Sequence, residues 1–213
     1  MMRSEAITII KRGLGYRQTQ DASIVAALKQ AQRDAELGQT LPNWLVAFNA
    51  PLNVIQPFGA VDAPPGFIRL HDEYPMFYFG PDGDTVSIPR RNQTEAIAAY
   101  GQAPAVAGTY PQVMSVLNKT LFGLYPAPGV SFTAYLNYYK AEPVLDSDIE
   151  NQWLKYAPNY IVGMAGVHVA GDLRDRAAAE KFNLMARIGQ KALLGDIVED
   201  ELAGRPLIMG RNN

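Results

Sequence analysis

Catalysis needs side chains that titrate, ligate or attack, and this chain of 213 residues offers few of them. It has two histidines and no cysteine. That removes disulfides, Cys-ligated zinc, iron–sulfur clusters and thiol nucleophiles together. His71 stands in the run His71-Asp72-Glu73, whose residue types could ligate a metal, but neighbours on an extended chain point to opposite faces. A solvated loop cluster is the better account. His168, between Val167 and Val169, reads as a packed or interface histidine on the apolar side of a helix. No serine nucleophile motif is present for it to serve.

Phosphate chemistry finds no loop, because neither Gly-x-Gly-x-x-Gly nor Gly-x-x-x-x-Gly-Lys-Ser/Thr occurs. Gly80-Pro81-Asp82-Gly83-Asp84 has carboxylates at a calcium-loop spacing, yet position 93, where a bidentate Glu is needed, is Gln. A turn is expected there. Asp146 with Asp148, and Glu199-Asp200-Glu201, suit helix ends and a solvated face better than a glycosidase pair. No catalytic, metal-binding or cofactor-binding residue is therefore assigned.

The elements around these residues follow from periodicity. Ser4 to Lys11 forms a short helix with Ser4 as N-cap, ended by Gly13 and Gly15. From Asp21 to Leu37, Ile24, Leu28, Ala31 and Ala35 make a helical stripe, with Gly38 at its C-terminal side. Between Leu41 and Val144 prolines and aromatics dominate. Strands are expected at Trp44–Phe48, Asn53–Ile55, Phe67–Leu70, Met76–Phe79, Thr85–Ile88, Val116–Leu124 and Ser131–Tyr139. The fourth and fifth pair as a hairpin through Pro81 to Asp84. In the last, Phe132, Ala134, Leu136 and Tyr138 form the packed face.

After Pro143 the chain reads as helical. Ser147-Asp148-Ile149-Glu150 has the form of a capping box. Trp153, Tyr156 and Tyr160 share a face that continues through Ile161, Met164 and Val167 or His168, with a kink or fresh start at Pro158. A final helix, about Arg174 to Leu202, sets Phe182, Met185, Ile188 or Gly189, Ala192 and Leu193 on one stripe before Gly204. The fold class is α+β. A helical bundle comes from 1–40 and 144–204, a β-rich insertion from 41–143, and a C-terminal tail from 205–213.

Hydrophobic residues make up 48% of the chain and charged residues 19%, with a formal net charge of −2. Charge is thus scarcer than the usual share of about a quarter, so more surface than normal must be hidden, and other subunits are one place to hide it. The balance excludes a protein that wraps nucleic acid electrostatically. No run of about 18 apolar residues occurs, so a soluble protein made in a cytoplasm is expected. Eleven tyrosines, among them Tyr135, Tyr138, Tyr139, Tyr156 and Tyr160, suit subunit interfaces, carbohydrate platforms or internal packing.

Asp21-Ala22-Ser23-Ile24, Ala31-Gln32-Arg33-Asp34 and Leu41-Pro42-Asn43-Trp44-Leu45 resemble the opening of the head-to-tail adaptor proteins of tailed bacteriophages. The second half is similar as well. Leu121 to Pro128 leads to Ala134-Tyr135-Leu136-Asn137-Tyr138-Tyr139, then Leu145, Ser147, Asn151 and Leu154, and Tyr156-Ala157-Pro158 opens the aliphatic helix before the charged one with Phe182. The resemblance runs over nearly the whole chain in order and spacing. It implies a non-enzymatic virion protein without cofactors, made in the bacterial host cytoplasm and placed at the head–tail interface. Such proteins form a homo-oligomeric ring, commonly of about twelve copies, under the portal protein and dock the tail or nozzle protein, while DNA passes the channel without specific binding.

Under that reading Arg205, Pro206, Leu207, Ile208, Met209 and Arg211 are the portal-docking candidates, because a basic, unpaired end orders on binding. Pro81, Asp82, Gly83 and Asp84 are the candidates for contact with the next tail component. Trp153, Tyr156, Tyr160 and His168 are the subunit-interface candidates. The alternatives are a carbohydrate-binding or host-recognition module built on the tyrosine-rich β segment, and a small hydrolase using His71 or His168.

Overall fold

A computed structural model describes residues 1–16, 21–55, 59–71, 74–101 and 106–203, with the backbone alone at 196 and 199–203. Helix and antiparallel sheet are both present, so the class is α+β. The chain divides into two compact units: Met1–Leu45 with Glu142–Asn213, and Val46–Ala141.

The first unit is helical. α1 (Arg3–Gly13) buries Ala6 and Ile10, and α2 (Asp21–Glu36) buries Ile24, Ala27, Leu28, Ala31, Gln32 and Ala35, the stripe that the i, i+3, i+4 spacing predicts. Ser4 is not the N-cap of α1. That position is Met2, whose N–H donates to Glu5 Oε2 at 2.8 Å. Ser4 lies two residues further, in the first turn, where its N–H (3.0 Å) and Oγ (2.7 Å) both donate to Asp148. Residues 147–150 accordingly do not cap a helix. The next helix, α4 (Gln152–Tyr156), is capped by the buried Asn151, whose Oδ1 accepts from Trp153 N at 2.9 Å and Leu154 N at 3.3 Å. Asp148 is spent on Ser4, and Asn151, directly before the helix, reaches the open amides of its first turn.

Pro158 opens a fresh helix, α5 (Pro158–Asp172), at a position where its missing N–H is no loss. After a turn in which Arg174 takes φ +54, α6 runs Arg176–Ala203. Its buried side is Ala178, Phe182, Ala186, Gly189, Leu193 and Ile197. Of the expected stripe, Met185 is half-buried and Ile188 and Ala192 are exposed.

The second unit holds two antiparallel sheets and α3 (Gln93–Tyr100). The first sheet has β8 (Phe132–Lys140) at its centre, flanked on one side by β1 (Val46–Val54) and on the other by β3 (Phe67–Leu70) and β4 (Met76–Phe79). β5 (Thr85–Ile88) pairs outside β4. The hairpin of β4 and β5 has the expected register, Met76 opposite Ile88 and Phe79 opposite Thr85. The two strands expected at Trp44–Phe48 and Asn53–Ile55 are one strand, bulged between Ala47 and Ala50, and Trp44 belongs to a short 3₁₀ turn, Asn43–Leu45.

The second sheet is β2 (Ala60–Asp62), β7 (Leu121–Tyr125) and β6 (Val113–Asn118). The single strand expected at Val116–Leu124 is therefore a hairpin. Asn118 Oδ1 accepts from Thr120 N at 2.8 Å and Thr120 Oγ1 at 2.9 Å, and that local bonding turns the chain. The core of this unit gathers Met76, Tyr78, Ile88, Met114, Phe122, Leu124, Ala134, Leu136 and Tyr138. The inward face of β8 is the expected one.

Candidate interaction surfaces

The residues able to do chemistry are scattered. The His71 ring lies between those of Phe48 (5.5 Å) and Tyr139 (5.3 Å), and the backbone N–H of His71 donates to Asn137 O. Asp72 and Glu73 lie outside the described residues. His168 is exposed on α5 instead of facing the apolar side, because Val169, the next residue, takes the buried position. The Asp146 carboxylate pairs with Lys29 while its backbone carbonyl accepts from Arg3, and Asp148 is taken by Ser4. The side chains of 199–201 are outside the described ones. Among the described residues no cluster of three or more His, Asp or Glu could hold a metal.

Asp148 shows what its carboxylate does instead. The Ser4 amide and hydroxyl, followed by the Arg3 charge, hold its pKa below the ordinary 3.8. A depressed folded-state pKa contributes stability that is present above the unfolded value and lost as pH falls through the folded one. Asp148→Asn is therefore expected to weaken α1 docking near neutral pH and to shrink the loss of stability below pH 3.8, as read by melting curves of both proteins across the acid range. Equal acid slopes would refute it.

The subunit-interface candidates part company in the helical unit. Trp153 is 1% exposed and packs edge-on to Trp44 at 4.9 Å. Tyr156 is 51% exposed and its ring lies tilted against Trp44 at 5.5 Å. Tyr160 is half-buried, and burial, with the Asp34 carboxylate second, raises its hydroxyl pKa above 10.0. Trp153 and Tyr160 line a cleft of about 300 Å³ with Ala35, Gln190, Leu193 and Leu194.

A feature that the single-stripe reading of α6 misses lies on its outer side. Leu184 (61%), Ile188 (57%), Leu194 (43%) and Val198 (52%) are exposed, and the 3.6-residue turn places them on the side away from Phe182 and Gly189. Two i, i+4 apolar pairs off the main stripe were the available signal.

In the sheet unit, Pro81, Asp82, Gly83 and Asp84 form an exposed turn: Gly80 N–H donates to Asp84 O at 2.8 Å and Gly83 takes φ +83. Beside it, Phe77 and Tyr135 stack at 5.3 Å, and Phe79, 54% exposed, meets Tyr135 edge-on. Tyr78 and Tyr138 point inward, and burial raises both hydroxyl pKa values. Arg90 and Arg91 border an open hollow of about 460 Å³ at the start of α3, where Asn92 caps Thr94 N. The portal-docking candidates Arg205, Pro206, Leu207, Ile208, Met209 and Arg211 lie outside the described residues.

Among the described residues no helix is long and apolar enough to cross a membrane. No curated protein matches the chain. A family model described as SU10 adaptor protein matches residues 3–209.

Proposed function

The chain belongs to the SU10 adaptor protein family of phage head-to-tail adaptors, and from that membership we propose that it forms a homo-oligomeric ring under the portal protein, docks the tail or nozzle protein and leaves a central channel for DNA. The match over nearly the full length carries this reading. In this reading the protein is a structural virion component with no catalytic role, as membership of an adaptor family implies. In the proposed assembly the helices of 1–40 and 144–204 act as a bundle that builds the ring wall, and 41–143 acts as a β-rich insertion. Arg205 to Arg211 engage the portal, and Pro81 to Asp84 face the tail component.

The outer stripe of α6 supports the ring. Leu184 with Ile188 and Leu194 with Val198 are apolar and exposed on the outer half of α6, which is what a head-to-tail subunit contact requires of one of its two unlike faces. Tyr156 and Tyr160 add aromatic edges to the same unit. Trp153, already buried, works from inside by holding that unit together.

The test is assembly with portal, viewed by electron microscopy. The wild-type chain is expected to form rings, and to be present in purified virions. A chain that stays monomeric with portal and is missing from virions overturns the reading. Leu184→Asp with Ile188→Asp should lower the melting temperature only modestly, through helix propensity and one i, i+4 repulsion, since both side chains are more than half exposed, and should abolish rings, because each contact would bury uncompensated charge. Normal rings from the double variant would remove this stripe from the interface.

A further inference from the structure

The sheet edges of the β unit are not treated alike. Asn137 N–H donates to Pro75 O at 2.7 Å, so alternation makes Phe77–Tyr135 a hydrogen-bonded pair and turns the backbone groups of Ala134 and Leu136 toward β1. Pro51 and Asn53 then face outward on β1, and a proline there has no N–H to offer. The same edge is bent by the bulge at Asn49 (φ +53), whose amide is taken by Asn137 Oδ1 at 2.9 Å. These are guards against strand pairing. β2 is three residues long. On β6, Met114 donates to Pro89 O at 3.0 Å and accepts from Arg91 N at 2.8 Å.

β5 has no such guard. Gly80 N–H bonds Asp84 O, so Val86 and Ile88 turn their groups to β4, and Thr85 and Ser87 turn one N–H and one C=O each to the outside. Further along the same edge Pro89 and Arg91 are bonded to Met114. At Thr85 and Ser87 no backbone partner is found among the described residues. Thr85-Val86-Ser87 is β-prone, uncharged, free of proline and exposed, with Val86 at 38%.

We propose that this edge accepts an extended segment of the adjoining tail protein as an added strand, a mode of docking that rests on the adaptor reading above. The charge at the two ends describes the segment. Asp82 and Asp84 stand at one end of β5, and Arg90 and Arg91 at the other, all exposed. The incoming strand is therefore uncharged in the middle, basic beside the turn and acidic beside the arginines. An apolar residue on its inner side covers Val86.

Hydrogen exchange at single-amide resolution, in the isolated chain and in purified virions, decides it. Val86 and Ile88 amides are expected to be slow in both, and Thr85 and Ser87 fast in the isolated chain and slowed at least about a hundredfold in virions. Ser87→Pro removes only an outward donor. The variant should melt with the wild type and lower infectious yield at least about tenfold, with Ser87→Ala near wild type. Unprotected Thr85 and Ser87 in virions that contain the chain overturn the strand and leave the adaptor reading standing, even if Ser87→Pro disturbs folding. Absence of the chain from virions overturns both. Protection that appears in particles of this chain alone identifies a second copy as the occupant and overturns the tail segment.

Discussion

Trp153→Ala is expected to destabilise the helical unit by about 3–5 kcal/mol, a large part of what holds a unit of this size folded. The indole is buried with its edge on Trp44, and its Nε1 donates to Glu36 Oε1 at 3.2 Å. That oxygen also accepts from Gln32 Nε2 at 2.9 Å and from Glu142 N at 3.1 Å, across 106 positions of sequence. One carboxylate thus ties the end of α2, the returning chain at 142 and α4 together. Truncation opens a cavity and removes one of three donors from a half-buried anion. Trp153→Phe fills most of the cavity and loses only the donor, so a smaller cost of about 1–2 kcal/mol is expected. Calorimetry or helical circular dichroism on both variants checks this. A cost below about 1 kcal/mol for the alanine would mean that the knot is not what holds the two chain segments.

How far such features could be read from the amino acids depends on how local their cause is. β3, β4 and β5 match their expected limits because short β-prone runs are separated by turn residues, Pro81-Asp82-Gly83-Asp84 above all. α2 and the restart at Pro158 are as legible, one from a stripe and the other from a missing N–H. The hairpin of β6 and β7 is missed in the single strand expected at Val116–Leu124 because the polar Asn118-Lys119-Thr120 in its middle carries no Gly or Pro turn signal, and the break is a side-chain bond at Asn118. α3 buries only Ala96, so it has no stripe to find. The cap at Asn151 lost to a better-looking Ser-x-x-Glu, since nothing local says that Asp148 belongs to Ser4, 144 positions away. Surfaces fare worst. The stripe of Leu184 and Ile188 and the bare edge at Thr85 and Ser87 are defined by what does not pack there, and only the fold shows that.

Glycine inside a helix looks like a weakness in a sequence, and Gly189→Ala tests whether it is one here. Helix propensity alone predicts a gain of about 1 kcal/mol. The structure predicts the opposite sign. A Cβ on Gly189 would meet the α5 backbone, 2.8 Å from Tyr160 Cα, and a Cβ on Gly163 would meet Ala186 N at 2.5 Å from the other side. These neighbours are main chain and cannot rotate away, so α5 and α6 must separate. The expected net loss is about 2–3 kcal/mol, with a fall in melting temperature of roughly 5–10 °C. Gly195, on the same helix, has nothing within 4 Å of its added Cβ, and Gly195→Ala should stabilise by up to about 1 kcal/mol. Intrinsic fluorescence reads both, because the chain's two tryptophans, Trp44 and Trp153, lie in this unit and touch each other. Opposite signs for one substitution in one helix would show that α5 and α6 are held at glycine distance. Equal signs would mean the helices stand further apart, and the outer stripe of α6 would then lose the rigid backing that a subunit contact needs.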